Sequence, residues 1–212
     1  MTALEKWSDA FANLPLVAIL RGLRPDEAAA IGAALVEGGF RIIEVPLNSP
    51  QPLHSISALA AQFPQALVGA GTVLTLEDVR AVKAAGGELV VAPNFNPVVV
   101  REAVRLGLVC LPGVLTASEA FAALEAGAHG LKLFPAEMIP PSAVKAMRAV
   151  IPQEVALLPV GGVGTHDMAA YRAAGASGFG IGSALFKPGL DAAQVGANAR
   201  DFAAAWAGTI RA

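Results

Sequence analysis

One lysine of this sequence lies where an ammonium group would be costly. The chain has five lysines, and only Lys132 sits inside an apolar, strand-like run, Gly130-Leu131-Lys132-Leu133-Phe134. Strand alternation directs Leu131 and Leu133 to one face, and Lys132 and Phe134 to the other, which we expect to be the interior of a parallel barrel. Burial lowers a lysine pKa and favours a neutral amine that can attack a ketone. The pattern predicts a Schiff-base lysine; the alternative is a lysine held by a buried carboxylate.

Glu44 is the carboxylate best placed to act with this lysine. It follows Ile42-Ile43 and shares the inward parity of Ile42, near the end of a predicted strand. Glu88, by contrast, stands at the beginning of a strand and belongs to the opposite face. Imine chemistry requires proton transfer at several steps, which a buried glutamate can perform. A plain ion pair between Glu44 and Lys132 is the alternative interpretation.

Two small-residue pairs follow the last two predicted strands: Gly161-Gly162 and Gly182-Ser183. In α/β barrels these two strand ends often bind phosphate through backbone amides, and the Ser183 hydroxyl can also donate. Glycine pairs also form ordinary turns. Their position after the last two predicted strands is what favours phosphate binding. We therefore predict a phosphate site here.

The sequence offers little to a metal ion. His54, His129 and His166 share no ligand-like spacing with one another or with a carboxylate. We predict no metal and no cofactor. An enzyme without either needs an organic group to accept the electron pair of a broken bond, and a covalent lysine imine can serve as that group.

Short β-rich runs alternate with alanine-rich, helix-period segments along the chain. Helix starts are marked at Pro25, Thr75 and by the Thr116/Glu119 capping box. A first helix is predicted over 3–12 and a last one over 191–207. The eight predicted strands are 15–20, 41–47, 66–71, 88–92, 108–111, 130–134, 155–160 and 178–181.

This alternation predicts the α/β class with a parallel sheet. Eight units spaced by about 20–25 residues favour a (β/α)8 TIM barrel with an extra N-terminal helix, over an open doubly wound sheet. We expect one domain over 1–212. A composition of 55% hydrophobic and 15% charged residues fits strands buried on both faces and a subunit interface.

The net charge and the cysteine content indicate which partners and which cellular compartment to expect. A net charge of −2 provides no basic surface for nucleic acid or an anionic membrane. The N-terminus lacks a basic segment followed by an apolar core, so no signal peptide is predicted, and the single Cys110 suits a reducing compartment. We expect a cytoplasmic protein.

Several motifs together are similar to one enzyme family. The chain resembles the 2-keto-3-deoxy-6-phosphogluconate (KDPG) and 2-keto-3-deoxy-6-phosphogalactonate (KDPGal) aldolases, which are class I, metal-independent carbon–carbon lyases. The resemblance implies a compact, usually trimeric barrel, with Lys132 as Schiff-base nucleophile and Glu44 as general acid/base. The motifs are Ala18-Ile19-Leu20-Arg21-Gly22, Glu44-Val45-Pro46-Leu47-Asn48-Ser49-Pro50, Gly69-Ala70-Gly71-Thr72-Val73, Lys132-Leu133-Phe134-Pro135 and Gly161-Gly162-Val163.

The branch of the family depends on Asn48. Gluconate-type members usually carry an arginine at this position, and the run around Asn48 resembles the galactonate type. The resemblance thus implies cleavage of the phosphorylated sugar acid to pyruvate and glyceraldehyde 3-phosphate, with gluconate-type or dual activity as the alternative. Asn48 is expected at the carboxylate and pyruvate end of the substrate, where Arg21 supplies the positive charge that Asn48 cannot. Thr72 then hydrogen-bonds the carboxylate, and Phe134 packs against the substrate or fills the core.

Two other classes of function stay open. A phosphate-binding transferase or isomerase of the thiamin-phosphate synthase type would share the glycines without needing Lys132. A non-catalytic sugar-phosphate binding or scaffold protein would use Lys132 and Glu44 only as an ion pair.

Overall fold

The computed structural model describes residues 1–209, so the last three residues of the predicted 1–212 domain lie outside it. Helices and strands alternate along this stretch. The strands are β1 Leu16–Ile19, β2 Ile42–Pro46, β3 Leu67–Gly71, β4 Leu89–Val91, β5 Val109–Leu111, β6 Gly113–Val114, β7 Gly130–Leu133, β8 Ala156–Pro159 and β9 Phe179–Ile181. The helices are α1 Ala3–Asn13, α2 Pro25–Glu37, α3 Pro52–Gln62, α4 Leu76–Ala84, α5 Pro97–Arg105, α6 Ala117–Glu125, α7 Pro141–Arg148, α8 Met168–Ala173 and α9 Ala192–Gly208.

Local sequence signals account for where the helices begin. Thr75 and Thr116 accept hydrogen bonds from the backbone of Asp78 and Glu119, so both predicted N-caps are confirmed. Pro25 opens α2, where its missing amide costs no helical hydrogen bond.

The strands form two parallel sheets, ordered β5-β4-β3-β2-β1-β9 and β6-β7-β8. An isolated parallel bridge between Val160 and Gly180 links the end of β8 to β9. The α/β class and the parallel pairing are confirmed. Neighbouring strands follow chain order, except that the last strand, β9, pairs with the first, β1. This order lacks the reversal point of a doubly wound sheet and fits a curled parallel sheet.

One strand was not predicted, and several predicted strands end one residue early. Pro112 has no amide to donate to a ladder, and it separates β5, which pairs with β4, from β6, which pairs with β7. Lys132 therefore lies on β7, the sixth predicted strand. That strand ends at Leu133, so Phe134 stands just beyond it.

The parallel strands have apolar side chains on both faces. Ala18, Ile43 and Leu131 face the helices, whereas alternate residues such as Ile42 and Leu158 form a second, inner cluster. Helix α1 contributes Ala3, Trp7 and Ala10 to that inner cluster, and Lys6 pairs with Glu88 at the beginning of β4. Helix α1 thus covers the N-terminal ends of the strands and leaves their C-terminal ends open.

Within residues 1–209, every helix is too short or too polar to span a bilayer.

Candidate active site

A cavity of about 460 Å³ opens at the C-terminal ends of the strands. This is the face where barrels of this class carry their chemistry. Seven of the ten sequence-predicted site residues line it: Arg21, Lys132, Phe134, Gly161, Gly162, Gly182 and Ser183.

Lys132 enters the cavity from the middle of the second sheet. On β7 it pairs with Gly113 on one side and Leu158 on the other, and only 6% of the residue is exposed. Its Nζ lies 4.7 Å from the centroid of the Phe134 ring. Burial lowers the pKa of Lys132, and the positive charge of Arg21 acts in the same direction against the attraction of Glu44. The lowered pKa increases the share of neutral amine, the form that nucleophilic attack requires.

Glu44 lies beneath the cavity, fully enclosed. It shares with Lys132 a gap of about 10 Å³ inside the inner cluster, and its Oε2 has no hydrogen-bond partner within the described chain. Burial raises the pKa of Glu44 to about 7, although Lys132 and Arg21 oppose this shift. A carboxyl group that titrates near neutrality can both accept and return a proton. The missing hydrogen bond also argues against the plain ion-pair interpretation.

Arg21 is held by the loop that follows β2. Its Nη1 donates to Oδ1 of Asn48 at 2.7 Å, and the next amide, of Gly22, donates to Oγ of Ser49 at 2.9 Å. Asn48 itself is not part of the cavity wall, so its contact with the site runs through Arg21.

Thr72 is also outside that wall: it follows Gly71 with a left-handed backbone, φ 57°, and is partly buried. The predicted contact of Thr72 with a substrate carboxylate stays a prediction.

The two predicted phosphate loops present free backbone donors. Gly161 and Gly162 have φ values of 110° and 66°, a conformation that glycine adopts without strain. In the described chain, the amides of Gly162, Gly182 and Ser183 donate to no protein acceptor, whereas Gly161 adjoins the Val160–Gly180 bridge. Backbone amides gathered on a concave surface bind anions. The arrangement can hold an oxyanion in the same cavity that Lys132 lines.

Sequence reasoning assigned no binding role to two further charged residues of the cavity wall, Glu137 and Lys187. Glu137 lies in a short 3₁₀ turn, Ala136–Met138. Its carboxylate lies so close to Gly161 and Gly162 that Cβ atoms added there would be 2.6 and 2.9 Å from its oxygens. Lys187 follows Gly182-Ser183 closely in the chain, which is the one sequence signal that could have indicated it.

Nothing in the described residues groups three or more histidine, cysteine or acidic side chains as metal ligands. The three histidines are apart: Nδ1 of His129 accepts from the Cys110 amide at 3.0 Å, and His54 and His166 are exposed.

Comparison with known proteins decides the family. Residues 8–198 match the family model described as KDPG and KHG aldolase. The chain belongs to the KDPG and KHG aldolase family. A probable 2-dehydro-3-deoxy-6-phosphogalactonate aldolase of Rhizobium meliloti (strain 1021) is 50% identical over 85% of this chain and 86% of its own. The 2-dehydro-3-deoxy-6-phosphogalactonate aldolase of Escherichia coli (strain K12) is 45% identical over 92% and 95%.

Structural comparison agrees with the sequence matches. The native KDPGal structure superposes with a TM-score of 0.92 and 44% identity, covering 94% of this chain and 97% of that one. The 2-dehydro-3-deoxy-phosphogluconate aldolase of Treponema pallidum (strain Nichols) is more distant, with 33% identity over 78% of this chain and 79% of its own. Aldolases are carbon–carbon lyases, so the transferase, isomerase and scaffold interpretations are set aside.

Proposed function

We propose that this chain is a class I aldolase that cleaves 2-dehydro-3-deoxy-6-phospho-D-galactonate to pyruvate and D-glyceraldehyde 3-phosphate. The observation that carries the proposal is the nearly buried Lys132 amine, with its lowered pKa, beside the enclosed Glu44 carboxyl group. Relatives with 45–50% identity that are named for this substrate support the choice. Activity on the gluconate epimer, alone or in addition, is the alternative.

We further infer that the two sheets close into one barrel of eight strand–helix units, with α1 as the extra N-terminal helix. In this fold β5 and β6 are two segments of a single strand interrupted at Pro112. Hydrogen bonds across that seam support it: the Cys110 carbonyl accepts from the His129 amide at 3.0 Å, and the Pro112 carbonyl accepts from the Lys132 amide at 3.0 Å. The Val160–Gly180 bridge joins the other seam.

The reaction begins on Lys132. Its neutral Nζ adds to the C2 ketone of the substrate, and loss of water from the carbinolamine leaves a protonated imine. This imine is the electron sink, so the proposal requires neither a metal nor a cofactor.

Carbon–carbon cleavage then depends on Glu44. The C4 hydroxyl gives its proton to the Glu44 carboxylate, directly or through a water, and the C3–C4 bond breaks as C4 becomes the aldehyde. The electron pair moves into the imine and forms an enamine. Glu44 returns the proton to C3, and hydrolysis of the imine releases pyruvate and restores Lys132. A pKa of about 7 suits a group that must take and return the same proton.

Binding of the two charged ends fixes the substrate around Lys132. Arg21 interacts with the carboxylate, and Phe134 packs against the pyruvate carbons near Nζ. The free amides among the predicted phosphate residues, with the Ser183 hydroxyl, hold the phosphate. Asn48 acts by orienting Arg21.

A borohydride trapping experiment tests the proposal. Borohydride added with pyruvate should reduce the imine and leave a stable adduct on Lys132, located by mass spectrometry of peptides. An adduct on another lysine, or none, would refute the proposal. Activity should persist in excess chelator, and loss of activity that an added metal restores would indicate a metal-dependent aldolase instead.

The epimer preference needs a separate measurement. Pyruvate release can be coupled to a dehydrogenase and compared for the galactonate and gluconate substrates under the same conditions. We expect a higher kcat/KM for the galactonate epimer. A homotrimer, a cytoplasmic location and a single domain over 1–212 stay predictions.

A further inference from the structure

We propose that the ammonium group of Lys187 binds the substrate phosphate and supplies the positive charge of that subsite. The inference rests on the proposed function and deepens it. Lys187 lines the same cavity as the four predicted phosphate residues, but lies outside the motifs that identify the family.

The other two cations of the described cavity wall act elsewhere. Arg21 is hydrogen-bonded to Asn48, in the loop after β2. Because the sheet order is β2-β1-β9, this contact draws its guanidinium away from β9 and from the glycines that follow it. Lys132 is nearly buried and must be neutral to react. The phosphate end therefore cannot depend on either of them for charge.

The predicted phosphate residues supply hydrogen bonds but no net charge. A sugar phosphate carries a charge of about −1.5 to −2 at neutral pH. Beside the glycines lies the Glu137 carboxylate, which adds a negative charge to this end of the cavity. A cation strengthens the binding of a dianion there, and Lys187 is the cation that remains among the described wall residues.

The fold holds Lys187 at this position. The ring of the next residue, Pro188, packs against Gly22, where an added Cβ would lie 2.6 Å from the Pro188 Cγ. The Lys187 carbonyl accepts from the amide of Leu190 at 3.1 Å, which closes a turn. No described carboxylate lies within 4 Å of the Lys187 ammonium, so the charge is available to a ligand.

Three variants test the proposal: Lys187→Met, Lys187→Arg and, as a control, Lys145→Met on an exposed face of α7. The readout is the ratio of kcat/KM for the phosphorylated acid to kcat/KM for its unphosphorylated analogue. We expect K187M to lower this ratio about tenfold through KM, the effect of one charge-assisted hydrogen bond at a partly exposed site. K187R should retain most of the wild-type ratio, and K145M should retain all of it. Added salt should raise the KM of the wild type more steeply than the KM of K187M, because salt screens the charge of Lys187.

The outcomes separate this inference from the proposed function. If the wild type forms the borohydride adduct and cleaves the acid, but K187M keeps a ratio within about twofold of wild type, Lys187 does not bind the phosphate and the inference fails alone. If the wild type forms no adduct, the proposed function fails. Calorimetric titration with inorganic phosphate does not depend on turnover: weaker binding by K187M than by K145M supports the inference, and equal binding overturns it.

Discussion

The Glu44 carboxylate lies against the backbone of Gly71, at the end of the neighbouring strand. A methyl group placed on Gly71 would overlap Oε2, the same oxygen that has no hydrogen-bond partner within the described chain. Because Gly71 has no side chain, the space beside its Cα is occupied by the buried Glu44 carboxyl group. Because β2 and β3 are paired in parallel register, with Pro46 opposite Gly71, the two strands fix this arrangement together.

Gly71→Ala should therefore displace the Glu44 carboxylate. We expect kcat for cleavage to fall by about 100-fold, the usual worth of a positioned acid–base group, while the pyruvate adduct on Lys132 still forms. Gly208→Ala is the matched control, because a Cβ at that position meets nothing within 4 Å. Steady-state kinetics and borohydride trapping measure the two effects. Near-normal kcat in G71A would show that Glu44 does not need its present position.

The raised pKa of Glu44 predicts how stability depends on pH. Its ordinary value is 4.5 and its value in the fold is about 7, so the folded state holds the proton more tightly than the unfolded state. The contribution of this group to stability is fully present below pH 4.5 and is lost as pH rises through 7. At pH 8 the buried charge costs on the order of 3 kcal/mol, as an upper bound.

Glu44→Gln removes that charge. We expect the urea-unfolding free energy of E44Q to exceed that of the wild type at pH 8 and to approach it at pH 5, while turnover falls sharply. Glu125→Gln, an exposed substitution on α6, should leave the pH dependence unchanged. Equal stability of E44Q and wild type at pH 8 would contradict the raised pKa.

The parallel strands were predictable because alternation in a buried sheet is a local signal. All eight predicted strands are present, with ends shifted by about one residue, as in the prediction of 15–20 against the observed Leu16–Ile19. The same alternation placed Lys132 and Glu44 inward. The two-residue strand β6 was missed because so short a segment after Pro112 carries no periodicity.

The composition of the cavity wall was less predictable because it depends on contacts between distant segments. Thr72 follows the end of a strand, as Gly161 and Gly182 do, yet it lies outside the wall. Lys187 lies within it because Pro188 packs against Gly22, at the far end of the sequence. Such a contact leaves no trace in the spacing of residues along the chain.

Arg21 and Asn48 should behave as one unit. Asn48→Ala removes the acceptor that orients the guanidinium, and we expect kcat/KM to fall about fivefold; Arg21→Met removes the charge itself, with a loss of about 100-fold. The double variant should be no worse than R21M, because the asparagine acts only through the arginine. Asn13→Ala, at the end of α1, is the control. Additive losses in the double variant would mean that Asn48 contacts the substrate directly.

Glu137 should weaken phosphate binding in the wild type. Its carboxylate lies beside Gly161 and Gly162, where it repels an incoming dianion. Glu137→Gln keeps the shape and removes the charge, so we expect KM for the phosphorylated acid to fall about three- to tenfold. The effect should be larger at pH 8 than at pH 6, because the second pKa of a phosphate monoester lies near 6. Glu77→Gln, exposed at the start of α4, provides the comparison. A rise in KM for E137Q would instead assign the carboxylate a supporting contact, either to the glycine turn or to a substrate hydroxyl.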